Sequence, residues 1–563
     1  VRKNHPISGA GEGVQVSVAT CDASRPADLG VRPAATRTNL RGIVMGLSRR
    51  EFMKAGVLGG ASLILPLQPI LVAAARRRLP ESKLPAPFAV PLSIPPVLPP
   101  LTSEGTTDFY EITMREAEAE ILPGRSTTIF GYNGITPGPT LSVRRGRTVV
   151  VRQINALPQR HPTLRYECTT SVHLHGNATP PQYDGWAEDL SAPGFFKDYI
   201  YPNDQNERTM WYHDHAVHHT AENTYMGLAG LYITDEGRNI PLPSGRYDVP
   251  LVVQDKIFDT DGQFLFDDDG QKELMGDVIL VNGRPWPVLQ VERRKYLFRI
   301  LNASTSRAYR LALSTGEPFT FVSGDGGLMP APQQDKTFRI GVAERYGVVI
   351  DFAKYPIGQQ VVLRNLELKN NEEFPSTRQV MRFDVVSEAA DLTRNEVPAV
   401  LKPGGGQDDP MALQPSQARR TRDWRFERRR GQWAINGLFW DPRRMDAAPG
   451  LNDVEIWRFD NHSGGWFHPV HVHLIDFKIL DRNGRPPFPY ERGPKDTVYV
   501  GEGEVVRLIG KFGPHAGKYM MHCHNVVHED HEMMTNFEVG KGGPDPVTAA
   551  PPRPVSELPG RPL

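Results

Sequence analysis

Tyr519-Met-Met-His522-Cys523-His524-Asn-Val-Val-His528-Glu529-Asp-His-Glu-Met533-Met534 is the stretch around which the rest of the chain is organised. Cys523 stands between two histidines, with His528 five residues on and Met533 five beyond that. A thiolate, imidazoles and a thioether form the ligand set of a blue-copper centre, two His and a Cys with a weak axial Met. Cys523, His528 and Met533 supply three of those four ligands locally. On a strand, residues i and i+2 share a face and the residue between them takes the other. If Cys523 binds one copper, His522 and His524 therefore both project to the opposite side, where they can hold different metal. A zinc site and a patch of surface histidines are the competing readings, but zinc is bound by Cys, His and carboxylates rather than Met.

Three further clusters complete the pattern: His173-Leu-His175-Gly176, His213-Asp-His215 and His468-Pro-Val-His471-Val-His473, all on sequence that reads as strand. Ten of the 17 histidines fall in these four clusters, and none lies between His219 and His462. A zinc enzyme needs about four ligands, so this number is too large for one. It fits a blue copper with two imidazoles and a separate copper cluster with eight.

The motifs H-x-H-G, H-x-H, H-x-x-H-x-H and H-C-H-x3-H-x4-M, in that order, resemble those of the multicopper oxidases, and within them the bilirubin oxidases and spore-coat laccases. The resemblance implies an all-β chain of three cupredoxin-like Greek-key β-sandwich domains holding four coppers. It places His468, Cys523, His528 and Met533 on a type 1 copper, and His173 and His471 on a type 2 copper. His175, His213 and His524 would hold one type 3 copper, and His215, His473 and His522 the other. The activity it implies is one-electron oxidation of a small-molecule reductant near His468 and His528. Electrons then pass through Cys523 and its flanking histidines to reduce dioxygen to water. Bilirubin-like tetrapyrroles, phenols and aminophenols are the expected substrates. The alternatives are a cuprous or manganous ion oxidase and a non-enzymatic cupredoxin-like protein of the cell envelope. A Met-rich segment, the mark of a cuprous oxidase, is absent from the sequence, and no ligand position is lost.

Two other residues, Asp184 and Trp466, enter through the same resemblance, and Glu529 through its place in the sequence. Asp184, in Gln182-Tyr-Asp-Gly185, aligns with an acid near the dioxygen-reducing cluster, and Glu529 follows His528 directly. Dioxygen reduction consumes protons, so both carboxylates are expected to supply them; capping a turn is the plainer role for Asp184. Trp466, two residues before His468, matches a tryptophan beside the type 1 copper in bilirubin oxidases. It either shapes substrate docking or packs as core.

At 563 residues the chain exceeds what one hydrophobic core supports. Its 65 basic and 65 acidic residues cancel, which argues against nucleic acid as a partner. Of the three cysteines, Cys523 is a ligand candidate and Cys21 lies upstream, leaving Cys168 as a buried thiol without a disulfide partner.

In chain order, residues 1–44 read as disordered or upstream of a start at Met45. Residues 45–75 read as a twin-arginine signal, with Arg49-Arg50 ahead of a modestly apolar run ending in Ala73-Ala-Ala75. The protein is thus expected to be exported, to the periplasm, cell surface or medium, with no stable membrane insertion after cleavage. Residues 76–104 form an extended Pro-rich lead-in. A weak repeat follows: Asn133-Gly134, Asn282-Gly283 and Asn436-Gly437 each precede two strands, the second ending at Asn155, Asn302 and Asn461. Domains are expected at residues 105–238, 239–392 and 419–541, with a linker at 393–418 and a loose tail at 542–563. The first and third domains carry the histidines, so the copper cluster should lie between them with the middle domain as spacer. The Arg-rich run from Arg419 to Arg430 is expected to be a strand with a solvated basic face.

Overall fold

The computed structural model describes residues 77–237, 240–402 and 409–558; the signal expected at 45–75 and the segment before it lie outside the described residues. The described chain is built of strands in six sheets, two for each third of the sequence. In the first third, Thr107–Ala119 alternates between buried and partly exposed positions over its first eight residues, as a half-buried strand must. Each third repeats one pairing: Thr107–Ala119 runs parallel to Thr148–Ala156, Asp248–Lys256 to Lys295–Asn302, and Arg420–Arg429 to Val454–Asn461.

The asparagines of the repeat explain why the same unit forms three times. Asn133, Asn282 and Asn436 have φ of 55°, 50° and 53°, and each is followed by a glycine that is also left-handed. Two left-handed residues in succession make the hairpin turn that Asn-Gly favours. Their Oδ1 atoms accept from Thr113 N at 2.9 Å, Val252 N at 2.8 Å and Arg425 N at 2.7 Å, pinning each turn to the first strand. Asn155, Asn302 and Asn461 are buried and end the second strand in the same way. Each Oδ1 accepts from the backbone N–H two residues on, at 3.0 Å in all three. Each Nδ2 donates to carbonyls from other segments: Cys168 and Ser191 for Asn155, Arg307 and Ile340 for Asn302, and Trp466, Val500 and Gly501 for Asn461.

The site is carried by β1 (Val172–His175), β2 (Arg208–Asp214), α1 (Thr220–Met226), β3 (His468–Val472), β4 (Thr497–Val500), β5 (Gly517–Cys523), α2 (Val526–Asp530) and β6 (Met534–Val539). β1 and β2 are neighbours in a four-stranded sheet of the first domain. In the third domain the order is β4-β3-β5-β6. The Arg-rich strand Arg420–Arg429 turns Trp424 and Phe426 into the core of that domain and leaves most of its arginines at the surface.

Two expectations change. The tail is not loose: Arg553–Pro554 pairs antiparallel with Phe195 and Phe196 at the edge of a first-domain sheet, and Leu558 is buried against Ile154 and Phe196. A two-residue strand in a Pro-rich segment carries no alternation by which to foresee it. The middle domain is also more than a spacer, because it holds groups on the outer side of the histidines, described below. Cys168 is a buried free thiol, pushed up to about 12 by burial. No helix among the described residues is long and apolar enough to cross a membrane.

Candidate metal centres

The first centre lies inside the third domain. β5 turns Met521 and Cys523 into its core, where Met533 is also fully buried. Past Cys523 the chain makes a single helical turn, α2, whose first N–H groups Asn525 caps by accepting from Val527 N. That turn points His528 back at the thiol. His468 Nδ1 lies 3.3 Å from Cys523 Sγ, His528 Nδ1 lies 3.6 Å from it, and the two Nδ1 atoms are 3.2 Å apart. Met533 N donates to the His528 carbonyl and Cys523 N to the Met533 carbonyl, so the backbone folds the thioether residue onto the same pocket.

Outward nitrogens fix the tautomers. His468 Nε2 meets Ser463 Oγ at 2.8 Å, and His528 Nε2 meets the Lys272 carbonyl of the middle domain at 2.7 Å. An N–H given to an oxygen on the outside leaves the lone pair on the inside nitrogen. Burial holds His468 down to about 3 and His528 well below its ordinary range, so both are neutral imidazoles. Burial also pushes the Cys523 thiol well above its usual value, so a thiolate here requires a cation beside it. Two neutral imidazoles and a thiol converging in a dry pocket with a buried Met fit copper in the blue-copper arrangement.

The second centre lies between the first and third domains. In the β1–β2 register His173 opposes His213, which places His173, His175 and His213 on one face. In the β3–β5 register His471 opposes His522, on the face away from Cys523. The facing histidines interleave. His175, His213 and His524 form one group with ligand atoms within 4.8 Å of one another, and His215, His473 and His522 form a second; His173 and His471 group with His175. These groups contain the same triads and pair that the motif resemblance implies.

Their outer nitrogens are also engaged. The Nδ1 atoms of His173, His213 and His471 lie 2.5, 2.8 and 3.0 Å from the carbonyls of Asp184, Asp214 and Asp496. His473 Nδ1 lies 2.8 Å from Asp184 Oδ2, and His522 Nδ1 lies 2.9 Å from Glu529 Oε2. Inward, Nε2 of His173, His213 and His471 and Nδ1 of His175 are buried with no hydrogen-bond partner. Burial depresses His213 to about 3 and His215 to about 4, and drives His173, His175, His471, His473 and His524 well below the ordinary imidazole range. Neutral imidazoles aiming unshared lone pairs at one another are costly unless a cation takes them. The donor set therefore fits a cluster of copper ions.

Both candidate acids touch this cluster. Asp184 is buried, its carbonyl and carboxylate facing His173 and His473, and burial pushes its carboxyl well above the ordinary value. Gly185 lets the backbone approach: a Cβ there would sit 2.6 Å from the Val172 carbonyl. Glu529 faces His522 and, at 3.5 Å, His215. Burial raises its carboxyl, but those imidazoles outweigh burial and hold it down to about 2.

Trp466 is partly buried and meets the first centre through Trp433. Its ring meets Trp433 at 5.2 Å, and Trp433 lies over His528 with ring centroids 3.7 Å apart. The Arg428 guanidinium covers both indoles, at 4.7 and 4.9 Å. Beside Trp466 opens a groove of about 730 Å³, lined also by Arg78, Lys272, Asn370, Asn371 and four acids, Asp267, Asp269, Glu273 and Glu372. Trp433, Arg428 and Lys272 were not among the residues the motifs single out. The Gln432-Trp433 pair shortly before the Asn436-Gly437 turn is the only local sign of Trp433.

Sequence profiles of the multicopper oxidases match residues 113–238, 248–382 and 408–543. A bilirubin oxidase from Albifimbria verrucaria is 40% identical over 479 residues, covering 80% of this chain and 81% of that one. A laccase from Bacillus subtilis is 34% identical, over 80% of this chain and 98% of its own. Among solved structures, a laccase from Pediococcus acidilactici superposes with a TM-score of 0.72 at 29% identity, over 82% of this chain and 95% of that one. The chain belongs to the multicopper oxidase family. Its sandwiches are cupredoxin-like domains, its cofactor is copper of types 1, 2 and 3, and it is an oxidoreductase with dioxygen as acceptor.

Proposed function

We propose that the thiol pocket holds the type 1 copper, on His468, Cys523, His528 and Met533, and that the interdomain histidines hold the other three. His173 and His471 take the type 2 ion; His175, His213 and His524, and His215, His473 and His522, take the type 3 pair. Bound copper supplies one-electron acceptance at the first centre and the four-electron reduction of dioxygen to two waters at the second. The observation that carries this reading is β5: Cys523 faces one centre while its neighbours His522 and His524 face the other. One backbone segment thus links the point of electron entry to the point of use. The acids divide the proton work: Asp184 accepts from His473 Nδ1 at Oδ2 and carries its proton on Oδ1, which has no hydrogen-bond partner, while Glu529, ionised and accepting from His522 at Oε2, takes up protons and passes them on at the other side. Removal of either should slow only the dioxygen half-reaction.

The reductant is proposed to be an aromatic molecule of the bilirubin, phenol or aminophenol class, docking in the groove beside Trp466. Support comes from the likeness to a bilirubin oxidase and to laccases. The Trp466–Trp433 pair and the Lys272 carbonyl give that groove two short routes to His528. Steady-state turnover of bilirubin beside a small phenol tests this, and absence of bilirubin turnover would remove the tetrapyrrole. Export by the twin-arginine route is proposed from Arg49-Arg50; a Lys-Lys replacement should retain the protein in the cytoplasm, and continued export would refute it.

A further inference from the structure

Behind the cluster lies a set of charges with no access to water. Asp325, Glu344, Arg345, Lys495 and Asp496 are each at most 1% exposed. Lys495 Nζ bridges Asp325 at 3.0 Å and Glu344 at 2.8 Å, and Arg345 N donates to Asp325 Oδ1. Arg345 begins the middle-domain strand Arg345–Asp351, yet its guanidinium reaches both other domains. Its Nε donates to the Thr209 carbonyl in β2 at 3.0 Å. Its Nη1 and Nη2 form a fork on Asp496 Oδ1 and Oδ2, at 2.7 and 2.5 Å.

Asp496 is where this fork meets the cluster. Its Oδ1 lies 3.1 Å from His175 Nε2, and its carbonyl accepts from His471 Nδ1 at 3.0 Å. Thr497 Oγ1 donates to the same carboxylate at 2.9 Å and lies 3.0 Å from His175 Nε2. One residue therefore engages the outer nitrogen of two imidazoles, and His175 is turned so that Nδ1 faces inward, opposite to His173, His213 and His471. A carboxylate this deep persists only with a hydrogen-bonded cation, and the planar fork also fixes the plane of its oxygens. The glycine of the H-x-H-G motif belongs to the same arrangement. Gly176 has φ +94°, and a Cβ there would stand 2.5 Å from Arg345 Nη2 and 2.8 Å from Asp496 Oδ2.

We propose that Arg345 is a positioning residue of the dioxygen-reducing centre: through Asp496 it sets His175 and His471, which makes the middle domain a working part of a site it supplies no ligand to. The proposal rests on the assignment of His471 to the type 2 copper and His175 to a type 3 copper. The test uses purified, copper-loaded enzyme carrying Arg345→Lys, which keeps the buried charge but loses the fork, Arg345→Met, which loses both, and Gly176→Ala, which displaces the fork with its charge intact. Type 2 copper is followed by electron paramagnetic resonance and by its loss to a chelator during dialysis. Each folded variant should hold it ~10- to 100-fold more weakly, the usual effect of losing a partner behind a metal ligand. The type 2 signal should shift while the blue absorption and signal of the type 1 copper stay as in the parent. If Arg345→Met does not fold, the other two decide. A folded Arg345→Lys with the parent's type 2 signal and retention would overturn the proposal, as would parallel loss of both copper types, which marks a purely structural role. A parent enzyme without a type 2 signal would instead refute the ligand assignment.

Discussion

Asp184→Asn separates proton supply from everything else the cluster needs. The replacement keeps side-chain volume, and an Asn Oδ1 can still accept from His473 Nδ1, now 2.8 Å from Asp184 Oδ2. The backbone contact to His173 Nδ1 is made by the Asp184 carbonyl and survives unchanged. No lysine or arginine among the described residues pairs with Asp184, whose ion-pair partners there are His173 and His473, so a neutral amide strands no buried cation of theirs and should cost under about 1 kcal/mol of stability. What is lost is a group able to release a proton. A positioned general acid contributes roughly 10²- to 10⁴-fold. Glu529 still serves the His522 side, so the low end applies: reoxidation by dioxygen should slow about 100-fold, or about 2.7 kcal/mol. Reduction of the type 1 copper should keep the parent rate, because Asp184 touches neither His468, Cys523 nor His528. Stopped-flow mixing measures both halves, following loss of blue colour with excess reductant without oxygen and its return on mixing with dioxygen. Copper content must match the parent for the comparison to hold. Equal slowing of both halves, or unchanged reoxidation, would refute the proton role.

Three further outcomes are expected. Cys523→Ser should abolish the intense blue absorption while the three all-imidazole coppers still bind; a mutant that stays blue would contradict the assignment. Trp466→Ala should lower kcat/KM for bilirubin by about 1–2 kcal/mol more than for a small phenol, the scale of one aromatic contact, and equal losses would make Trp466 mere support for Trp433. Leu558→Ala should lower unfolding stability by about 2 kcal/mol through its contact with Ile154 and Phe196; no change in denaturant midpoint would mean that the tail does not brace the first domain.

The parts of the site legible in the sequence share one property: they repeat at spacings set by a strand. His522, Cys523 and His524 alternate faces, and His468 takes the face opposite that of His471 and His473, so the two centres are separable from spacing alone. The Asn-Gly turns were legible because few sequences accept two left-handed residues together. The supporting layer had no such signal. Arg345, Asp496, Lys272 and Ser463 reach the histidines from separate segments, and an arginine on a strand resembles any surface arginine until its neighbours close over it. The middle domain lacks histidine, which hid its part in the site. The tail reads as loose because proline and charge suggest a free chain, whereas its docking rests on one buried Leu558 and a two-residue edge pairing.

In the proposed assignment, one strand joins a type 1 copper to a three-copper cluster that reduces dioxygen fully to water. The direct measurement is copper content together with product analysis on a single preparation: metal per chain, the blue absorption, and water against hydrogen peroxide as the fate of the oxygen consumed. The expected result is four coppers per chain, one of them blue, with four electrons taken from the reductant per dioxygen and no peroxide released. One or two coppers per chain after full loading, or peroxide as the main product, would contradict it.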